Sequence, residues 1–148
     1  MIKYVLTSAL LFFSSVQVFA ATDLTPGNLV GRYNVQAKAG FQTVYIKFRV
    51  LDTREFELQR TYPDGHSDEV CNGSYNLNNS LYLDEEALLA KSHTFNGIFT
   101  CPSDRSKKID FNIDFGRTTV EDLAKGTTVS VTSSMAPGMR LSAYVKKQ

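Results

Sequence analysis

The sequence of 148 residues lacks tryptophan and contains only two cysteines, two histidines and four prolines. Two cysteines exclude a disulfide-dense miniprotein. Two histidines leave His66 near Glu69 without the third and fourth ligands that a metal site needs. No Gly-x-Ser-x-Gly motif is present, and the acidic run 84–86 places adjacent carboxylates on opposite faces of a strand. We therefore expect no enzyme activity, no metal and no cofactor.

The overall composition is that of one globular domain. Apolar residues make up 43% of the chain and charged residues 21%. These proportions exclude a disordered tail or a collagen-like fibre and allow a real hydrophobic core. We find no internal repeat and no linker. A single domain is predicted over residues 22–148.

Residues 1–20 have the features of a secretory signal peptide. A short start with Lys3 precedes an apolar run, and small residues lead to a cut after Ala20 or Ala21. The alternative, an uncleaved membrane anchor, fits less well because serines and a glutamine dilute the run and shorten its apolar core. We predict a periplasmic or secreted protein with no membrane span after cleavage.

Cleavage leaves a chain with no net charge. Removing Lys3 leaves fifteen basic against fifteen acidic residues. The pairs Lys107-Lys108 and Lys146-Lys147 are too short to count as basic patches. Without a basic stripe along the sequence, we expect no nucleic-acid partner.

Cys71 and Cys101 are predicted to form a disulfide. An even cysteine count in an oxidising compartment favours pairing. The bridge would close a loop of about 30 residues and stabilise the fold by about 3.5–4 kcal/mol. Two free thiols and a metal pair are the alternatives.

Alternation of apolar and polar residues dominates the chain after residue 30. Val44, Ile46 and Phe48 alternate with polar neighbours, and the same pattern recurs further along. This period is typical of antiparallel strands with one face on a core and one in water. Turn residues separate the runs, and the predicted strands are 31–38, 42–51, 55–62, 67–77, 80–84, 94–101, 107–115, 127–133 and 139–146.

The predicted fold is all-β, an antiparallel up-and-down barrel of about eight strands, with a β-sandwich as the alternative. Two short helices are expected. One begins at Thr25-Pro26, an N-cap followed by proline, and the other lies over 120–125 after a Thr119/Asp122 capping box. Gly73 and Gly97 lie inside strands and predict β-bulges.

A turn predicted at Asn78-Asn79 affects the expected disulfide geometry. It places Cys71 and Cys101 on second-neighbour strands with 80–84 between them. Second neighbours lie nearly 10 Å apart, too far for a disulfide. We therefore expect Cys101 to lie beyond the end of the intervening strand, or the two strands to face each other across layers.

The segment from Thr25 to Tyr33 resembles the start of a lipocalin or other calycin. In that family a short helical turn leads into a first strand with Gly-x-Trp, and Gly31-Arg32-Tyr33 stands at this point. The resemblance implies a barrel with an apolar cavity open at one end. It also implies that Tyr33 closes the bottom, with Arg140 packed over it.

We predict an exported barrel that binds a small apolar or amphipathic ligand. The alternative is a protein-binding or inhibitor module of the cell envelope, without enzymatic activity. The expected partner is accordingly a small apolar ligand or an envelope protein. Tyr45 and Tyr144 should face outward, and His66 and His93 should be exposed turn residues. The candidate ligand-binding residues are Tyr33, Val44, Ile46, Phe48, Phe56, Leu58, Phe111 and Ile113.

Overall fold

A computed structural model describes residues 21–83 and 89–148 of the chain. The predicted signal peptide, residues 1–20, lies outside the described residues. The elements in chain order are α1 (Pro26–Leu29), β1 (Gly31–Ala39), β2 (Gln42–Val50), β3 (Glu55–Thr61), β4 (Cys71–Leu83), β5 (Leu89–Cys101), β6 (Asp104–Gly116), α2 (Val120–Lys125), β7 (Thr127–Ser133) and β8 (Arg140–Lys147).

The eight strands form a closed antiparallel barrel in up-and-down order. Each strand pairs with the next along the chain, and β1 pairs with β8 to close the cylinder. Val35 lies opposite Ile46 on one side and Val145 on the other. Cross-strand partners share a face, so the apolar set of each strand points to the interior. The predicted barrel is confirmed, and the sandwich alternative is excluded.

Both predicted helices are present and begin with capping boxes. Asn28 N–H donates to Thr25 Oγ1, and the Asn28 side chain accepts from Thr25 N–H. Thr119 and Asp122 make the reciprocal pair at α2, which ends at Gly126 with φ 98°. A positive φ favours glycine at a helix end. The helices contribute Leu29 and Leu123 to the core and close one end of the barrel, called here the closed end.

The segment before α1 is fastened to α2. Thr22 N–H and Oγ1–H donate to the two Glu121 carboxylate oxygens at 3.0 and 2.7 Å, and Val120 N–H donates to Thr22 O at 3.0 Å. These hydrogen bonds lower the pKa of Glu121 to about 2 because they stabilise its charged form. Leu24, two residues after Thr22, is buried.

The predicted turn at Asn78-Asn79 is wrong, because residues 71–83 form one strand. Asn78 and Asn79 are paired in the ladder opposite Thr94 and His93. Long-range pairing overrides the turn propensity of asparagine here.

Consequently Cys71 and Cys101 lie on neighbouring strands, β4 and β5. The expectation that another strand separates them is wrong. Their Cα atoms are 4.3 Å apart and the disulfide is formed. A disulfide is typical of proteins that fold outside the reducing cytosol. Among the described residues, no helix has the length and apolar character needed to cross a membrane.

Replacing both cysteines, as Cys71→Ser with Cys101→Ser, should lower the free energy of unfolding by about 3.5–4 kcal/mol, since the loop entropy of the unfolded chain is restored. Urea denaturation of the wild-type and double-serine proteins measures the difference. Equal midpoints with equal slopes would contradict the expected contribution.

Candidate functional site

Inward-facing side chains of the barrel are buried at one end and only half-buried at the other. At the closed end, inward-facing side chains such as Val50, Val129 and Val145 are buried. At the opposite end, called here the mouth, inward-facing apolar side chains are only half-buried. They are Ala37, Val44, Ile46, Leu58, Phe99, Ile109, Val131 and Leu141. These inward-facing side chains are therefore only partly shielded from solvent at the mouth.

Four phenylalanines fill the middle of the barrel and form what we call the phenylalanine floor: Phe48, Phe56, Phe95 and Phe111. Phe48 stacks on Phe56 with ring centres 5.1 Å apart, and Phe111 meets Phe56 edge-on at 5.5 Å. Phe95 lies 5.8 Å from both Phe56 and Phe111. All four rings are buried. The floor separates the solvent-accessible mouth from the closed end.

Two glycines make room for the floor. A Cβ on Gly97 would lie 2.5 Å from Phe111 Cζ, and one on Gly73 would lie 2.6 Å from Phe56 Cζ and collide with the Ile98 carbonyl oxygen. The expected β-bulges at these glycines are wrong, because both residues keep the regular register. Close approach of the rings, not a register shift, requires glycine here.

Arg60 provides a charge at the mouth. It lies opposite Ile46 in the ladder and so shares the inward-facing row, but its side chain is exposed. Its guanidinium carbon is 4.8 Å from the centre of the Tyr62 ring, in cation–π geometry. An inward row that ends in a cation can contact both an apolar tail and an anionic group.

The β3–β4 connection forms an ordered rim beside Arg60. Tyr62 stacks on His66 with ring centres 4.1 Å apart and donates its hydroxyl to Asp68 at 2.9 Å. This hydrogen bond to a carboxylate raises the pKa of Tyr62. His66 is exposed, as expected, and its Nδ1 is 2.5 Å from Asp64 Oδ1. The rim therefore holds Tyr62 in place under the arginine.

The eight candidate residues all lie on inward-facing rows, but they divide between core and mouth. Tyr33, Phe48, Phe56 and Phe111 are buried core residues. Val44, Ile46, Leu58 and Ile113 are half-buried. Val44, Ile46 and Leu58 belong to the mouth, whereas Ile113 follows Phe111 toward α2 and lies opposite Phe95 of the floor.

Tyr33 occupies the closed end, as the family resemblance implies. Its hydroxyl donates to Leu29 O at 2.5 Å, and burial raises its pKa. The cation over its ring is Lys147, at 5.7 Å, and not Arg140, which is exposed at the other end of β8. Lys147 also donates to Asn28 O at 2.9 Å and so links the last strand to α1.

The expectation that His93 is an exposed turn residue is wrong. His93 lies within β5, faces the interior at the closed end and is 1% exposed. Its Nδ1 donates to Asn79 Oδ1 at 2.5 Å. Desolvation lowers its pKa, against an opposing effect of Asp23. Asn79, its ladder partner, supplies the polar contact that makes burial tolerable.

Glu69 lies close to the two cysteine sulfurs, in the arrangement of a three-ligand cluster. The sulfurs are bonded to each other and are not available as thiolate ligands. The Glu69 carboxylate instead accepts from Ser103 N–H at 3.1 Å. Its role is to tie the β5–β6 turn to the β3–β4 connection.

The sequence reasoning missed several mouth residues and one floor residue. Arg60 continues the alternation of Phe56 and Leu58 and could have been placed in phase with them. Phe95 and Phe99 alternate with polar residues except for Ile98, which faces outward and obscures the pattern. Both strands alternate polar and apolar residues, but one residue breaks each pattern. Arg60 is a charged residue on an inward-facing row, and Ile98 is an apolar residue on an outward-facing row.

The outer face of β4, β5 and β6 carries two open hollows of about 510 and 540 Å³. The second is lined by amide and carboxylate side chains, among them Asn76, Asn96 and Asn112. Tyr75 and Ile98 also line it, so it offers apolar contact beside hydrogen bonds. The mouth differs in that its inward-facing side chains are mostly apolar and include one arginine.

Searches against protein-family models, curated proteins and solved structures return no match for this chain. The likeness to lipocalins therefore rests on architecture, namely eight antiparallel strands closed in up-and-down order.

Gly97→Ala should lower the free energy of unfolding by about 1–3 kcal/mol, because the added methyl overpacks the floor against Phe111. Gly27→Ala is the control, since a Cβ there has only Thr25 Oγ1 at 4.0 Å. Chemical denaturation measures both. Equal stability of Gly97→Ala and wild type would mean that the floor is not packed as described.

His93 should make the protein less stable as the pH falls. Its folded pKa lies below the ordinary value of 6.5, so the unfolded chain binds more protons below that pH. Stability is fully present above about pH 6.5 and declines as the pH falls toward the folded pKa.

Thermal melts between neutral pH and mildly acidic pH measure this decline. His93→Gln should flatten it, whereas His66→Gln, which changes an exposed histidine, should leave it in place. An unchanged decline in His93→Gln would show that another group is responsible.

Proposed function

We propose that this protein is an exported binding protein that takes the apolar part of a small amphipathic molecule into the mouth of its barrel. The observation that carries the proposal is the ring of inward-facing, half-buried apolar side chains at one end. Apolar side chains that are only half-buried gain free energy when a ligand covers them.

The phenylalanine floor limits the depth of such a site. A ligand entering from the mouth meets Ile46 and Leu58 before it reaches the buried ring of Phe48. The proposed ligand therefore inserts one end and leaves the other outside. This arrangement favours an amphiphile over a fully apolar molecule.

Arg60 favours an anionic head group on that amphiphile. It lies next to Ile46 on the inward row, and stacking on Tyr62 restricts its position. A carboxylate or phosphate at the mouth would form a charge-assisted hydrogen bond with the guanidinium. The candidate ligands are thus of the fatty-acid or lysolipid class.

The compartment proposed is the periplasm or the extracellular medium. The disulfide between Cys71 and Cys101 supports it. The signal-peptide pattern of residues 1–20 supports it independently.

A protein-binding module is the second candidate. The floor supports it, because Phe48, Phe56, Phe95 and Phe111 already pack against one another in the middle of the barrel and leave no need for a ligand there. The outward positions of Tyr45 and Tyr144 also support it, since tyrosine is frequent at protein interfaces. In this case the mouth would remain empty when a partner binds.

Ile46→Trp should weaken binding of cis-parinaric acid, a fluorescent fatty acid, by about tenfold or more. The indole occupies space in the mouth, and the loss of about two buried CH₂ groups corresponds to this factor. The protein contains no other tryptophan, so the single indole also reports directly when the mouth is occupied. Fluorescence titration measures both effects.

Leu81→Trp is the matched control, since Leu81 is exposed on β4 near the closed end. Arg60→Gln should weaken binding of the acid more than binding of its methyl ester. Equal affinities of Ile46→Trp and wild type would remove the mouth as the site. No binding by the wild-type protein would favour the protein-binding module.

A further inference from the structure

The acidic residues are excluded from two long parts of the chain. Residues 24–51 and 123–148 contain no Asp or Glu and eight Lys or Arg in total. The first part includes β1 and β2, and the second includes β8. Because β1 pairs with β2 on one side and β8 on the other, the two acid-free parts form one continuous sheet surface.

This surface is basic on its outer side, and we call it the basic face. Along β1, Arg32 lies opposite Arg49, and Asn34 lies between Lys47 and Lys146. Glu57 is the one carboxylate within 4.0 Å of any of its cations in the described part of the chain, at 3.5 Å from Arg49. The exposed cations of the basic face are Arg32, Lys38, Lys47, Arg49, Arg140 and Lys146.

Two tyrosines lie in the middle of the basic face. Gln36 is opposite Tyr45 on one side and Tyr144 on the other, so the three form a row across the strands. Tyr144 packs on Gly126, where any Cβ would collide with its hydroxyl. The ring is thereby fixed among the cations.

Exposed apolar residues mark the mouth end of the same strands. Phe41 is fully exposed at the β1–β2 turn, and Met135 and Met139 are exposed in the β7–β8 connection. Lys38 is three residues from Phe41, and Arg140 follows Met139. We call Phe41, Met135 and Met139 the apolar tips. Lys38 and Arg140 thus bring cations close in sequence to these apolar side chains.

We propose that the basic face and the apolar tips dock this protein onto an anionic lipid surface. Charge complementarity supports the lipid head groups as partner, because six exposed cations lie on a face without acidic residues of its own. The apolar tips reach below the head groups. This inference goes beyond ligand binding in the mouth and does not depend on it.

The tips and the tyrosines distinguish a lipid surface from a soluble polyanion. A soluble polyanion would bind the cations and would leave Phe41 in water. A bilayer offers an anionic layer and, immediately beneath it, an apolar layer. Tyrosine rings also favour the boundary between these layers.

Co-sedimentation of the processed protein with vesicles tests the proposal. Phosphatidylglycerol vesicles should bind it, and phosphatidylcholine vesicles should not. Lys38→Glu with Arg140→Glu should weaken binding by about tenfold or more, because two attractive charges become repulsive. Phe41→Ser should weaken it by about tenfold, since one buried aromatic ring is lost.

The control variants carry the same kinds of substitution, a double charge reversal and an apolar residue replaced by serine, at positions away from the basic face. Arg54→Glu with Lys125→Glu and, separately, Leu81→Ser alter exposed residues near the closed end and should bind as wild type. Absence of binding to phosphatidylglycerol would overturn the proposal. Binding to heparin as tight as to the vesicles, with no effect of Phe41→Ser, would also overturn it, in favour of a soluble polyanion. Loss of cis-parinaric acid binding alone would leave it intact.

Discussion

The packing of the phenylalanine floor on two backbone glycines is the contact on which the rest of the structure depends. Phe111 lies against Gly97 and Phe56 against Gly73, so four rings fit inside the barrel. Each buried ring contributes about 1.5–3 kcal/mol through loss of water contact. Because the four rings fill the middle of the barrel, the helices cover one end, and the inward-facing side chains at the other end remain half-buried. The shallow mouth is therefore a consequence of how the core is packed.

The sequence predicts well which side chains of a strand face the interior, but poorly which residues of another strand they pair with. Alternation in 42–51 and 107–115 assigns Ile46 and Phe111 to the interior because successive side chains on a strand point to opposite faces. It cannot show that Asn79 pairs with His93, since this contact joins residues whose local preferences favour turns. The errors at Asn78-Asn79 and at His93 therefore have one cause. Long-range pairing overrode local propensity in a region where β4 and β5 extend together.

The charge distribution is a stronger example of the same limit. The formal charge of the chain predicted no electrostatic surface, and the lysine pairs along the sequence remained isolated. Barrel closure places β8 beside β1, and only then do Lys146 and Lys47 flank one residue, Asn34. A net charge near zero is compatible with strong local segregation. Arg60, which was not among the candidate ligand residues, is placed on an inward row by the alternation of Phe56 and Leu58, but its position beside Ile46 of another strand is known only from the fold.

Electrostatic attraction and apolar contact act over different distances, and the proposed docking on lipid needs both the basic face and the apolar tips. Salt limits attraction between exposed charges to a Debye length of about 8 Å under physiological conditions, and each cation contributes about 1 kcal/mol near an anionic membrane. A chain with a formal net charge of only +1, or zero after the predicted cleavage, is not strongly attracted from a distance, so contact has to be retained once made. Insertion of Phe41, worth about 1.5–3 kcal/mol if fully buried, supplies retention. Because Phe41 lies at the mouth end of β1, a docked protein that inserts Phe41 would hold its mouth end toward the lipid.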